Sequence, residues 1–486
     1  VDAPANKNRS ENKRNGWLFL GFVLFLGVFK FTYHEFWKDE WQAWFVATDT
    51  PTLQSLWKLL PVEGHPALWF LILRFSHALV SVVAPALPPE YLIQTVHLAL
   101  TIVASWIFFT KFRFHYLLKI ALALSYFFFF EYGVINRGYI LVILFLFWTV
   151  PYLDKPRLHI PALSLLLFLL TQTEIYGVFA AASVALVIIW KIYQEEHTLF
   201  SRHQLAIAAA LASGLLIFVW SVFPDAEMHQ PGNGTGGSGI AGAFVSLYAN
   251  TLAIGIDPPT AGTLPVFSVL LSLLMICAIV IVLRKNRIWM ISFFLFSFAF
   301  LIFSAFIYHG GPRQWGLHFI FLVVVMNFAG IDSKDLIQRS AIILLLALIV
   351  PAQLIHSLKI IGKEKKYLFS NSIEAGRYIR RNIPPDVPVL GINKAYCTPV
   401  IGYSGHKFYS LPEKELFSYS IFREKLYLPS LQDIRNFYVS RGGGEMYVVS
   451  YKPLPYDMLK DLELQMEFNK PNIREENYYL YKVKGK

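Results

Sequence analysis

Long apolar runs separated by short polar breaks set the pattern of this chain of 486 residues. A helix needs about 20 mostly apolar residues to cross the hydrocarbon core of a bilayer. The runs at 91–110, 205–223, 264–283 and 288–307 meet that length, and 18–31, 317–330 and 341–355 meet it with tilt and flanking residues. Shorter apolar segments near 117–130, 139–152 and 159–170 read as further spans with less definite ends. About eleven crossings are expected at roughly one per such run. The first run lacks a small-x-small cleavage site and another membrane stretch soon follows, so it reads as an anchor and not as a signal peptide.

One apolar segment does not fit a simple crossing. Residues 66–85 carry Arg74, Ser76 and His77 in their middle, and ionisable groups inside a bilayer are costly. A full crossing there would also put Lys111, Arg113 and Lys119 on the side opposite to the other basic loops. The segment is expected to lie along the outer leaflet or to re-enter it.

Composition agrees with the pattern. Hydrophobic residues make up 55% of the chain and charged residues 15%, against about a quarter charged in soluble domains. The net charge of +11 matters through its placement. Lys7, Arg9, Lys13 and Arg14 precede the first span, and basic clusters recur at 111–119, 155–157, 191–202, 284–287 and 334–339. The positive-inside rule puts these in the cytoplasm and the C-terminus outside. Their alternation along the chain explains them as topology signals, so no nucleic-acid partner is expected. The opposite loops are acidic: Glu35, Asp39, Glu40, Glu63, Glu131, Glu174, Asp225, Glu227 and Asp257. A bacterial inner membrane is the expected location. The two cysteines, Cys277 and Cys397, fall in a predicted span and in the terminal region, so no disulfide is expected.

From about residue 362 charges, prolines and tyrosines rise and no long apolar run remains. Residues 372–382 read as an amphipathic helix ended by Pro384 and Pro385. Residues 387–392 and 445–451 read as buried strands. The expected architecture is therefore a polytopic α-helical membrane protein with a small C-terminal α/β domain. Its parts are a cytoplasmic basic arm at 1–15, a membrane domain at 16–360 and a non-cytoplasmic domain at 361–486. Within the membrane domain, 34–66 forms the first outer loop and 224–263 a flexible outer loop.

Candidate chemistry gathers in the outer segments. The first outer loop places the adjacent acids Asp39 and Glu40 among Trp37, Trp41, Trp44 and Phe45. Residues 40–48 and 53–60 read as short helices in the membrane interface. A carboxylate held there among aromatics suits a general base, although an acidic pair can also simply solvate a loop. Further outer segments are EGHP at 63–66, EYGVINRGY at 131–139, TQTEIYG at 171–177 and YHGGPRQWG at 308–316. Arg137 and Arg313 are the arginines of the short outer loops after Arg74, and arginine gives bidentate contacts to phosphate. Snorkelling or pairing with a nearby acid is the plainer explanation of either one alone.

The order and sidedness of these segments resemble the GT-C superfamily of membrane glycosyltransferases. The nearest resemblance is to the branch with polyprenyl-phosphate-sugar-dependent protein mannosyltransferases and lipid A aminoarabinose transferases. It rests on the acidic pair, EGHP before PALWFLILR, the Y-x-x-x-x-R-x-Y segment and the arginine loop before a late span, and it covers roughly residues 15–360. The resemblance implies an inverting transfer of a hexosyl or pentosyl group from a polyprenyl-phosphate donor at the non-cytoplasmic face. The acceptor would be a hydroxyl of a lipid, glycan or protein. It carries the base role onto Asp39, with Glu40 orienting Asp39 or the acceptor. His65, Arg137, Tyr139 and Arg313 become the candidate contacts to the donor phosphate, His65 standing where a relative has a cation. Glu63, Glu131 and His309 become candidate substrate contacts.

No cofactor is required by these motifs. A divalent metal is compatible with the resemblance, since some GT-C enzymes use one, and Asp225, Glu227 and His229 alternate as oxygen and nitrogen candidates. A polar loop is the plainer explanation of those three, since nothing fixes their geometry. Gly232, Gly234 and Gly237 match GxGxxG, but without the strand and βαβ unit of a dinucleotide site; the run reads as a mobile lid. The alternative function is a lipid-linked sugar flippase or another polytopic transporter. That would favour ionisable pairs near the bilayer midplane, whereas the charges here cluster at the ends of the spans.

Overall fold

The computed structural model describes residues 3–223, 239–252, 266–329, 335–421 and 427–485. In chain order the helices of the apolar region are α1 (Ala3–Tyr33), α2 (Lys38–Asp49), α3 (Leu53–Glu63), α4 (Leu68–Val83), α5 (Pro89–Lys111) and α6 (Tyr116–Ala123). A π-helical segment follows at Tyr126–Val134. Then come α7 (Tyr139–Thr149), α8 (Ile160–Thr171), α9 (Ile175–Glu196), α10 (Arg202–Val222), α11 (Gly239–Asn250), α12 (Val266–Leu283), α13 (Arg287–Phe306), α14 (Pro312–Phe328) and α15 (Leu336–Lys366). Among the described residues 7 helices are long and apolar enough to cross a membrane, or 8 if α6 and the π segment, bent by 49°, form one span. The shorter apolar elements at α7 and α8 stand where the sequence predicts short spans. Within 224–263, α11 is helical; 224–238 and 253–263 lie outside the described residues, and with them Asp225, Glu227, His229, Asp257 and the glycines Gly232, Gly234 and Gly237.

The chain divides into two compact units. One comprises Val1–Lys30, Gly64–Trp69 and Gln94–Ile360; the other comprises Phe31–Glu63, Phe70–Ile93 and Ile361–Lys486. In the first, the membrane unit, aromatic and small polar side chains hold helices together. Phe25 and Phe29 of α1 pack on Phe129 of the π segment, and Phe22 stacks on Phe128. The Ser292 hydroxyl donates to the Ser183 carbonyl at 2.8 Å. The buried His318 ring reaches the hydroxyls of Thr251 at 3.0 Å and Ser297 at 2.9 Å. Such bonds link helices where apolar lipid supplies no hydrophobic drive.

Lys30 departs from the apolar pattern of its helix. It lies fully buried, and its ammonium donates to the carbonyls of Gly133 at 3.1 Å and Val134 at 2.8 Å and sits 3.0 Å from His97 Nδ1. The π segment ends at those carbonyls, and helix ends leave carbonyls without intrahelical donors. The ammonium thus closes the end of a broken helix. Lys30→Met removes that donor at a cost of about 1–3 kcal/mol for each acceptor left unsatisfied. The expected result is a lower unfolding temperature of the purified protein; an unchanged one would show that the lysine does no structural work.

The second unit holds a 6-stranded mixed sheet. Its strands are β1 (Val389–Ile392), β2 (Phe408–Tyr409), β3 (Leu416–Phe417), β4 (Tyr447–Ser450), β5 (Leu462–Phe468) and β6 (Tyr478–Val483), in the order β3-β2-β1-β4-β6-β5. β1 is parallel to β2 and β4, with Val389 opposite Tyr447, and the other pairs are antiparallel. Three helices accompany the sheet: α16 (Ser372–Asn382), α17 (Lys394–Ser404) and α18 (Leu431–Ser440). Alternate residues of the strands enter two cores. Val389, Val449 and Leu480 pack with Ala375, Ile379, Val400 and Ile401, whereas Leu390, Val448 and Tyr481 pack with Ile434 and Phe437. Side chains alternate across a strand, so burial on both faces accounts for the near-continuous apolar runs in β1 and β4.

The first-loop helix α2 belongs to this unit. Trp41 is fully buried against Gly402 of α17, where a Cβ would fall 2.2 Å from the indole. Tyr403 Oη accepts from the Phe36 backbone N–H at 2.6 Å. Gly402→Ala therefore forces apart two packed helices, at about 1–3 kcal/mol for overpacking. A thermal melt following tryptophan fluorescence should show the loss. An unperturbed melt would mean that Trp41 is not seated on α17.

Candidate functional site

In the second unit, Asp39 and Glu40 occupy the first turn of α2 but have different surroundings. Glu40 is buried, and its carboxylate accepts from the Trp37 backbone N–H at 3.2 Å, which caps the helix start. Its other oxygen lies 3.0 Å from His34 Nε2, while His34 Nδ1 lies 3.0 Å from Glu364 Oε1. A neutral imidazole has one N–H to donate, so two carboxylates at hydrogen-bond distance call for the doubly protonated ring. Burial alone would lower the His34 pKa, but the charges of Glu40 and Glu364 and their hydrogen bonds override it and push it up to about 9. Asp39, by contrast, is half-buried and lies at the surface of this turn. Glu35 accepts from the Phe369 backbone N–H at 3.0 Å, and burial pushes its carboxyl up to about 7. Glu63 accepts from Gln42 Nε2 at 2.9 Å. Gln42 is itself held by the Ser420 backbone, donating to its carbonyl at 2.7 Å and accepting from its N–H at 3.0 Å.

Arg74, which argued against a simple crossing at 66–85, is hydrogen-bonded within the same unit. Its guanidinium donates to Thr50 Oγ1 at 3.0 Å and to the Thr50 carbonyl at 2.8 Å. Its helix, α4, has 16 residues, which at 1.5 Å per residue is about 24 Å and short of a hydrocarbon core of about 30 Å.

In the membrane unit a second group assembles from distant segments. His65 Nδ1 lies 2.7 Å from Glu174 Oε2, so the carboxylate orients the ring. Tyr139, at the start of α7, lies within electrostatic reach of Glu174, Arg137, Arg313 and Tyr308. The Arg137 guanidinium sits 5.8 Å from the centre of the Tyr139 ring. Gln314 donates to Tyr139 Oη at 2.8 Å and accepts from the Gly311 N–H at 2.8 Å, tying the arginine loop to α7. Tyr132 Oη donates to the Arg313 carbonyl at 2.6 Å. Thus His65, Arg137, Tyr139 and Arg313, picked out in sequence as phosphate contacts, come together. Glu131 is buried in the π segment and accepts from Tyr126 Oη at 2.8 Å. His309 is half-buried, its carbonyl accepts from Trp315 Nε1 at 3.2 Å, and burial holds its imidazole below the ordinary value.

Glu174 and His34 are members of these groups that the sequence did not single out as site residues. Glu174 carried a signal, since it lies in an outer segment already noted. His34 carried none, because its partner Glu364 lies 330 residues away. Among the described residues no group of three or more His, Cys, Asp and Glu side chains is arranged to hold a metal ion.

No protein-family model matches the chain, and no curated protein sequence matches it. Its structure is similar to the crystal structure of ArnT from Cupriavidus metallidurans bound to undecaprenyl phosphate. The TM-score is 0.55 at 10% sequence identity, over 96% of this chain and 98% of that one. At that identity the likeness concerns the fold. The fold expected from the sequence, a polytopic helical protein with a small C-terminal α/β domain, is the one observed.

Proposed function

We propose that this protein is an inverting GT-C-type glycosyltransferase that moves a sugar from a polyprenyl-phosphate donor to a hydroxyl acceptor at the non-cytoplasmic membrane face. The observation that carries the reading is the convergence of His65, Arg137, Tyr139 and Arg313 in the membrane unit. It gains support from the fold shared with a protein crystallised with undecaprenyl phosphate. The alternation of basic loops supports an N-terminus in the cytoplasm and residues 361–486 outside, in a bacterial inner membrane.

In this reading Asp39 takes the proton of the acceptor hydroxyl. The acceptor oxygen attacks the anomeric carbon from the face opposite the phosphate, the bond from that carbon to the phosphate oxygen breaks, and its electron pair leaves with the polyprenyl phosphate. A phosphate is weakly basic, with a second pKa of about 6, so the leaving group needs cations and not the protonated carboxyl of a glycosidase. Arg137 and Arg313 supply them. His65, oriented by Glu174, adds a further donor. Glu40 acts as a positioning residue that holds the first turn of α2, on which Asp39 sits. Glu63, Glu131 and His309 are substrate contacts in this proposal.

The test incubates purified wild type and Asp39→Asn with radiolabelled polyprenyl-phosphate sugars and a membrane extract. Transfer by wild type alone supports the assignment and identifies the sugar. A wild type that neither binds nor uses any such donor overturns it.

A further inference from the structure

The second unit contains a cavity of about 470 Å³, within the range of about 300–1,000 Å³ usual for small-molecule sites. Trp37, Lys38, Tyr396, Tyr451, Lys452 and Arg474 line it, together with the acids Glu475 and Glu476. Its cations are held against aromatic rings. The Arg474 guanidinium carbon lies 3.8 Å from the centre of the Trp37 ring and 4.8 Å from that of Phe369. Lys38 Nζ lies 4.5 Å from the centre of the Tyr396 ring, which stacks on Tyr451 at 4.2 Å and 6°. Rings fix the heads of these long side chains, so less rotamer freedom is lost when an anion binds. A guanidinium stacked on a ring keeps its N–H edge for a planar or tetrahedral oxyanion. Arg474 Nε is buried and makes no hydrogen bond among the described residues, and neither does Glu476 Oε2. The cations and the two glutamates of the lining suit a ligand that brings both an anion and hydroxyl groups.

The cavity also adjoins the proposed base. Lys38 directly precedes Asp39 on α2, and the charge of Asp39 reaches Glu476.

We infer that this cavity binds a pyranose bearing a carboxylate or a phosphate, and that this sugar is part of the acceptor. Its anion meets Arg474, Lys38 and Lys452, its hydroxyls meet Glu475 and Glu476, and its C–H faces meet the aromatic wall. The word acceptor rests on the transferase reading; the binding does not.

Saturation-transfer NMR on the full-length protein in detergent tests the binding, with glucuronic acid, glucose 6-phosphate and methyl glucoside as probes. Binding of at least one acidic probe is expected to be about fivefold or more tighter than that of the neutral one, which is about 1 kcal/mol. The stronger acidic probe distinguishes carboxylate from phosphate. Lys452 is exposed, so Lys452→Glu reverses a charge without disturbing the core and should weaken the acidic probe about tenfold. Tyr396→Ala removes the aromatic wall and should weaken it about fivefold. Equal binding of all probes, no binding, or two variants that bind like wild type each overturn the inference. A wild type that binds the acidic probe but ignores every polyprenyl-phosphate sugar would fail the transferase reading and leave the cavity assignment standing. Transfer that proceeds with probes indifferent to both variants would do the reverse.

Discussion

Asp39→Asn lowers kcat for sugar transfer by about 10²–10⁴-fold, the usual contribution of a general base, while donor affinity and melting temperature stay close to wild type. The substitution keeps the shape of the side chain and removes its capacity to accept a proton. Asp39 is half-buried, and the carboxylate that caps the first turn of α2 is that of Glu40, so the turn keeps its cap. Glu40→Gln is the contrasting control. It takes one carboxylate from the His34 imidazolium, which lies buried between Glu40 and Glu364, and breaking a buried charged contact costs about 3–5 kcal/mol. Its main effect should therefore appear in the melt. If Asp39→Asn retained full kcat, or if it unfolded the protein while Glu40→Gln did not, the two acids would have to exchange roles.

Arg313→Ala weakens donor binding by about 10–100-fold, corresponding to the roughly 1.5–3 kcal/mol of a hydrogen bond to a charged group. The truncation should leave its loop in place, because other groups anchor it. Tyr132 Oη binds the Arg313 carbonyl, and Gln314 spans Gly311 and Tyr139. Arg313→Lys should recover part of the affinity, since a lysine restores the charge without the planar fork. Equilibrium binding of a radiolabelled polyprenyl phosphate to wild type and both variants measures this. An unchanged Kd for Arg313→Ala would remove the arginine from the phosphate site and leave the convergence around Tyr139 a structural ion cluster.

The candidate donor contacts were legible because each sits in a short polar break between apolar runs. Their mutual contact was not. Nothing in EGHP says that His65 meets Glu174 of TQTEIYG, and nothing in the arginine loop says that Gln314 reaches Tyr139. The amphipathic helix expected at 372–382 has those bounds, and of its expected apolar face Ile373, Gly376 and Ile379 are buried while Tyr378 is half-buried. The strands β1 and β4 were readable from β-branched apolar runs, but their parallel pairing needs a crossover whose end point no local pattern records.

By itself the sequence determined the membrane class, the positions of the long helices and the polar segments that carry the candidate chemistry, because burial in lipid imposes length and apolarity on each span separately. Only the tertiary structure decided which acid of the pair is structural, since Asp39 and Glu40 are chemically alike and are distinguished by His34 and a glutamate 330 residues from it. It also decided why Lys30 is tolerated in an apolar helix, by bringing the carbonyls at the end of the π segment to its ammonium. Contacts between distant segments depend on how whole helices pack, and that information is spread over the chain and absent from any one window of it.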